Sequence, residues 1–335
     1  MKKRIYLITG AAGHLGSTII KQLISQNYHV RALILPTEKF PIESDLVAIF
    51  HGDVRDQVSV RPFFEGLEEW DSICIHCAGI VSIASQYQQR VYDVNVIGTK
   101  NVMDLCLTYQ INRVIHISSV HAIPEKSQGQ EITEVTSFDP DKVHGLYAKT
   151  KAEASQYVLD LVAKGLPASI IHPSGIMGPG NYGIGHLSQL VIDYMNHRLR
   201  AVVKGGYDFV DVRDVASCIL SCVDHGKIGA CYICSNRYFE VREIIDLLHQ
   251  VTGNKPVRIV LPMWLAQLTA PLSEVYYKML KQPPLYTSYS LYTLQSNSKF
   301  SHQLATETLN YQPREMKETL ADTVAWLKEL GRIEK

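Results

Sequence analysis

The chain has no excess charge of either sign: 33 basic residues stand against 33 acidic ones. That balance excludes a global basic field for nucleic acid or an anionic membrane. A long apolar run is also missing. The best candidate, residues 259–273, contains Pro262 and Pro271 and falls short of the ~20 residues of a spanning helix. The opening MKKRIYLITG passes straight into strand-like sequence, without the apolar stretch and small-residue cleavage site of a secretory signal. A cytoplasmic location without a membrane span is the expectation. Repeats and low-complexity tracts are absent too.

Cysteine is sparse and odd in number, seven in 335 residues, which does not fit a disulfide scaffold. Two pairs, Cys74 with Cys77 and Cys231 with Cys234, have a spacing that invites zinc. Each pair lies in a strand-like run, SICIHCAG or ACYICSN, where residues three apart point to opposite faces. Buried, reduced thiols and no metal are expected. Hydrophobic residues make up 46% of the chain and charged ones 20%, enough apolar surface to fold and to exclude disorder. The length suggests roughly two domains.

Strand and helix alternate over the first 120 residues. Strands are predicted at 4–9, 29–35, 46–51, 72–77 and 113–118, with helices at 15–25 and 91–109. A helix over 147–163 and a strand over 168–172 continue the pattern. This is an α/β chain, a Rossmann-type doubly wound parallel sheet whose ligand edge lies at the strand ends. HPSGIMGPGNYGIG, with five glycines and two prolines, then reads as loop. A discontinuous division follows. Residues 1–172, with 206–236 returning, form the dinucleotide domain; 173–205 and 237–335 form a smaller substrate-binding region.

TGAAGHLG places Gly10, Gly13 and Gly16 between the first strand and an amphipathic helix, with His14 and Leu15 among them. The first glycine permits a tight turn, the second lets backbone approach a pyrophosphate, and the third lets helix pack on strand. An acid at the end of the second strand normally holds the ribose hydroxyls of NAD. Here that strand runs into Leu35 and Pro36, with Glu38 and Lys39 of opposite sign beyond. NAD and NADP are both open on this reading. Tyr147 and Lys151, four apart, share a helical face. A lysine beside a phenol stabilises phenolate and lowers its pKa, making a usable acid–base. Ser118 and Ser119 end the fifth strand on the same edge.

TGAAGHLG, HGDV at 51–54, HCAG at 76–79, NVIGTKNV at 95–102, HISSV at 116–120, YAKTK at 147–151, HPSGIMGP at 172–179 and FVDVRDVA at 209–216 occur in this order. With that set the chain resembles an extended short-chain dehydrogenase/reductase along nearly its whole length. The resemblance implies pyrophosphate on Gly10, Gly13 and Gly16, and adenine against Asp53 and Val54. It places Cys77, Ala78 and Gly79 along the cofactor and Asn95 beneath it. Ser119, with Ser118 the lesser choice, would bond the substrate oxygen. Tyr147 would be the acid–base and Lys151 the ribose ligand, with Pro173 to Ile176 near the nicotinamide. Asn95 and Asp53 also read as helix caps. His172 stands where the family often has arginine, and Cys77 where it has a small or aliphatic residue.

Within the family the chain resembles the branch of dihydroflavonol reductases and 3β-hydroxysteroid dehydrogenases, through HPSGIMGPG, the closing segment 297–327 and an apolar, aromatic stretch. From Leu261 to Leu294 that stretch carries Met263, Trp264, Tyr276, Tyr277, Tyr289 and Tyr292 but no arginine. A nucleoside diphosphate would want bidentate arginines. The expected substrate is thus a largely apolar carbonyl compound or alcohol. The alternatives are a sugar-nucleotide epimerase or dehydratase, or a non-catalytic dinucleotide sensor. The stretch reads equally as a core helix or a homodimer surface.

Overall fold

The computed structural model describes residues 2–83, 86–183, 185–268, 270 and 287–333. Its first half follows the alternation: β1 (Lys3–Thr9), α1 (His14–Ser25), β2 (His29–Ile34), β3 (Val47–His51), α2 (Gln57–Phe64), β4 (Trp70–His76), α3 (Gln89–Tyr92), a π-turn (Asp93–Ile97), α4 (Gly98–Thr108), β5 (Arg113–Ile117), α5 (Leu146–Val162) and β6 (Ala168–Pro173). Then come β7 (Gly175–Met177), α6 (His186–Met195), β8 (Ala201–Val203), β9 (Gly206–Asp211), α7 (Val212–His225), β10 (Cys231–Cys234), β11 (Arg237–Glu240), α8 (Val241–Thr252) and β12 (Ile259–Leu261). The chain closes with α9 (Ser288–Gln295), α10 (Gln303–Leu309) and α11 (Met316–Glu329).

Seven strands form the large sheet in the order β3-β2-β1-β4-β5-β6-β10, and every pairing is parallel. The strands inside the sheet are buried on both faces by alternation, whereas the edge strand β3 is partly exposed. Tyr6, Ile8, Ile73, Ile75, Ile115 and Ile117 meet α1 and α7 on one side. Leu7, Cys74, Val114 and Ile170 meet α2, α4 and α5 on the other. A period of two on the strands and an apolar stripe on each helix are what this layering requires. Truncating one such fully buried leucine or isoleucine to alanine costs about 2–5 kcal/mol.

Two small sheets, β11-β9-β7 and β12-β8, lie beyond the ligand edge. β9 pairs with β7 and β11, and α7 then packs on the large sheet. The helix α10 and Tyr311 pack on the same α7 side of the large sheet.

A cluster of carboxylates and guanidinia ties the C-terminal segment to α7. Arg314 Nη2 lies 2.7 Å from Asp214 Oδ1, and its backbone N–H donates to the same carboxylate at 2.8 Å. Arg213 joins Asp211 at 2.7 Å and Asp322 at 2.6 Å. Burial alone would raise the Asp211 carboxyl, but Arg213 outweighs it and holds the group below its ordinary value. All seven cysteines are unpaired by disulfides, and no metal-binding group occurs among the described residues. No helix among those residues is long and apolar enough to cross a membrane.

Candidate active site

The glycine loop turns sharply because Gly10 sits at φ +63°, with Ala78 Cα only 2.8 Å from where its Cβ would be. Gly16 is placed against the Gly10 carbonyl, which any Cβ there would strike. Gly13 is the N-cap of α1 and has no side-chain cap. The N–H groups at positions 14 to 16 are thus available to an anion at the positive end of the helix. Leu15 packs inward. His14 reaches across to Pro179 O at 3.0 Å, and burial pulls its imidazole down to about 4. A neutral ring at that distance donates its Nε2 proton to the carbonyl. It pins the glycine loop to the segment after β6.

Asp53 and Val54 lie just past β3. Asp53 pairs with Arg55 at 2.6 Å. It does not cap α2. Asp56 does, accepting from Val58 N at 3.0 Å. Asn95 is not a helix cap either. It occupies the π-turn, where its Oδ1 accepts from Ile80 N at 2.8 Å. Its Nδ2 donates to Ile80 O at 3.0 Å and Thr150 Oγ1 at 3.1 Å. A π-turn inside a helix adds one residue to the turn, and such bulges recur at functional sites. The continuous helix expected from 91 to 109 is interrupted here for that reason. Gly79 leaves room for this amide and for Lys151: an added Cβ would lie 3.3 Å from Lys151 Nζ and 3.4 Å from Asn95 Oδ1. Cys77, half-buried, has its thiol pushed up by burial, so it is no nucleophile at neutral pH.

Buried Tyr147 and Lys151 stand on the first turns of α5, beneath the end of β5. Ser119 approaches the Tyr147 phenol, whereas Ser118 is bonded to Ser155 at 2.7 Å. Burial pushes the phenol up to about 12, with the Ser119 hydroxyl drawing it partly back. Burial pulls the Lys151 ammonium down to about 8. The ammonium donates to Ile117 O at 2.9 Å. Desolvation governs the net shift of the phenol, and one of the three Lys151 N–H groups is taken by the β5 carbonyl. Pro173 ends β6, and Ile176 is drawn into β7 opposite Val210. His172 donates its Nδ1 proton to Ser119 O, 2.9 Å away, and stacks on Phe138. It therefore holds the Ser119 backbone in place.

A cavity of about 280 Å³ opens beside Ala148, lined by His121, Tyr207, Tyr289, Tyr292, Phe300 and Glu125 among others. No arginine is among its lining residues, and Lys142, its single lysine, is paired to Asp139 at 3.4 Å. His121 lies edge-on to Tyr147, ring centroids 5.9 Å apart. Sequence reasoning missed His121, Tyr207 and His144. The available signal for the first was its position two residues beyond Ser119. Tyr289 and Tyr292 line the cavity as the aromatic stretch predicts, but Trp264 and Leu268 face solvent. Tyr276, Tyr277, Met279, Leu280, Leu285, Tyr286, Lys278 and Lys281 lie outside the described residues.

Comparison with known proteins agrees with this geometry. Residues 6–234 match the NAD dependent epimerase/dehydratase family. Sterol demethylase protein B of Methylococcus capsulatus is 30% identical over 334 residues, covering 98% of this chain and 99% of that protein. A putative dihydroflavonol 4-reductase of Synechocystis is 25% identical, covering 98% and 96%. The crystal structure of gox2253 superposes with a TM-score of 0.85 at 28% identity, covering 99% of this chain and all of that one. Bordetella bronchiseptica WbmH in complex with NAD+ shares the fold, with a TM-score of 0.76 at 19% identity over 99% and 100% of the two chains. The chain belongs to the NAD dependent epimerase/dehydratase family of enzymes, the extended short-chain dehydrogenase/reductases.

Proposed function

We propose that the protein interconverts a carbonyl and an alcohol on a largely apolar, uncharged small molecule, using NAD or NADP. The observation that carries this reading is the arginine-free cavity whose wall includes several aromatic rings, one of them His121 edge-on to Tyr147. Glu125 and Asp141 on its wall would repel a diphosphate, and Lys142 already serves Asp139. Burying apolar ligand surface is worth about 25 cal/mol per Å², so such a cavity binds without phosphate contacts.

The dinucleotide fits the residues present. The uncapped turn of α1 after Gly10, Gly13 and Gly16 suits its pyrophosphate, and the gap at Gly79 brings Lys151 and Asn95 to its ribose side. Asp53 and Val54 would border adenine; Cys77 and Ala78 would flank its course; Pro173 to Ile176 would face the nicotinamide. When bound, the nicotinamide supplies or takes up the hydride. Tyr147 transfers the proton at the substrate oxygen, and Ser119 holds that oxygen by a hydrogen bond. Lys151, a buried ammonium anchored on Ile117 O, favours charge on the phenol oxygen as the proton leaves. We assign the dinucleotide to 1–172 with 206–236 and the substrate to 173–205 with 237–335.

The test is a competition titration on dinucleotide-loaded protein, with 1-tetralone against UDP-glucose, followed by turnover read from nicotinamide absorbance. Tighter binding and turnover of the ketone are expected. Preference for UDP-glucose would replace this reading with a sugar-nucleotide epimerase or dehydratase. Ligand binding without any turnover would point to a sensor.

A further inference from the structure

Beyond the acid–base group, one pair on the cavity wall joins a histidine to a tyrosine. His121 Nε2 and Tyr207 Oη lie 3.0 Å apart, and the two rings stack with centroids 5.5 Å apart at an interplanar angle of 11°. The residues come from opposite sides of the cleft: His121 follows β5, Tyr207 sits in β9. Phe300 closes the far side of Tyr207, ring centroids 6.1 Å apart. Burial holds the imidazole down to about 4 and the phenol well above its ordinary value, so both groups are neutral.

A neutral imidazole carries one N–H and a phenol one O–H. Their mutual bond uses one of these two hydrogens. If Tyr207 donates to Nε2, the proton left over is on His121 Nδ1. If Nε2 donates to Tyr207, the proton left over is on the phenol. In either tautomer one donor remains, and no acceptor among the described residues takes it. Both side chains line the cavity. A donor left facing a ligand without an acceptor costs desolvation, whereas a matched ligand oxygen recovers it.

We infer that the His121–Tyr207 pair is a specificity element, which selects ring ketones bearing a second, neutral acceptor oxygen about one ring away from the reacting carbonyl. The inference rests on the proposed oxidoreductase reading and names its substrate class more closely. The His121 and Tyr147 ring centroids stand 5.9 Å apart, a span comparable with one six-membered ring. An anionic second group is disfavoured, because neither member of the pair is charged and Glu125 and Asp141 stand on the same wall.

The experiment compares 1-tetralone with 4-hydroxy-1-tetralone, which differ by one oxygen across the ring. Binding is measured calorimetrically on NAD-loaded protein carrying Tyr147→Phe, so that no turnover intervenes. We expect the hydroxyketone to bind about tenfold tighter, the effect of one well-placed neutral hydrogen bond. Adding His121→Leu and Tyr207→Phe together, which removes both hydrogens of the pair, should shrink the preference to within about twofold. His121→Phe with Tyr207→Phe, a second double variant, should shrink it likewise. An undiminished preference in both double variants overturns the inference and leaves the oxidoreductase reading intact. Binding of UDP-glucose but of neither ketone overturns both.

Discussion

Asn95 grips the Ile80 backbone by both polar atoms, accepting its N–H at 2.8 Å and donating to its C=O at 3.0 Å. The segment leaving β4 is thereby held as a strand would hold it, by one side chain from a π-turn. Asn95→Leu leaves two partly buried backbone groups and the Thr150 hydroxyl without this partner. A loss of about 2–4 kcal/mol is expected, from roughly 1–3 kcal/mol per unsatisfied group partly relieved by water. Urea unfolding measures it. Dinucleotide affinity should fall with it, since Gly79 shares the same gap.

Tyr147→Phe should reduce turnover by about 10²–10⁴-fold, the usual contribution of a general acid–base. Dinucleotide affinity should stay within about twofold, because the ring and its packing remain. Wild-type turnover in this variant would dismiss the assignment. Lys151→Met should lower both turnover and dinucleotide affinity. The ammonium has two tasks in the proposal, and its bond to Ile117 O shows how closely it is placed.

Two glycines of one loop should separate binding from folding. At Gly13 an added Cβ meets only the Gly10 carbonyl, at 3.1 Å, so the helix start tolerates it with a small shift. Gly13→Val should fold and yet lose dinucleotide binding in a titration. Gly16→Ala drives a methyl into the Gly10 backbone and should lower the unfolding free energy by about 1–3 kcal/mol. Undiminished dinucleotide affinity in folded Gly13→Val would reduce the loop to a structural turn.

Stability should fall as the pH drops below neutrality. Burial lowers His14, His121 and His172 to about 4 and His76 to about 3. An unfolded histidine titrates near ~6.5, so below that pH the unfolded chain binds protons that the folded chain refuses. The stabilisation is complete above ~6.5 and is lost progressively towards pH 4, at up to about 1.4 kcal/mol per pH unit for each ring. Asp208, pushed up to about 7 by burial, and Glu134, also raised by burial, work in the opposite direction, but as two groups against six once His116 and His302, also lowered by burial, are included. Urea unfolding at pH 7.5 and 5.5 checks the sign; equal or greater stability at 5.5 contradicts it.

Arg314→Met should cost about 2–4 kcal/mol, because it strands Asp214 and weakens the hold on fully buried Asp211. Arg314 is itself partly exposed, which keeps the cost below that of a fully buried pair. Unfolding curves at low and high salt separate this contact from surface pairs: the loss should change little with ionic strength.

Much of the fold was legible because it is written in short periods. β1 and α1 differ in apolar spacing within a few residues, and Gly10, Gly13 and Gly16 stand between them. Tyr147 and Lys151 announce a shared face through their separation of four. Such features depend on local backbone geometry, and a sequence carries local geometry directly. The arginine-free character of the late segment was equally a matter of composition.

Tertiary structure alone decided which distant side chains meet. His121 and Tyr207 are far apart along the chain, and nothing in either neighbourhood announces a 3.0 Å contact. The same holds for Arg314 with Asp214 and for the Asn95 amide on Ile80. The sign of the pKa shift at Tyr147 belongs here too. The pairing with Lys151 suggested a lowered phenol, but the folded chain buries Tyr147 and sends Lys151 to Ile117 O. Sequence by itself determined the parallel sheet, its glycine loop and the residue types of the acid–base set. Desolvation and cross-chain apposition, which exist only once the layers close, decided the charge state, the cavity wall and the polar pair within it.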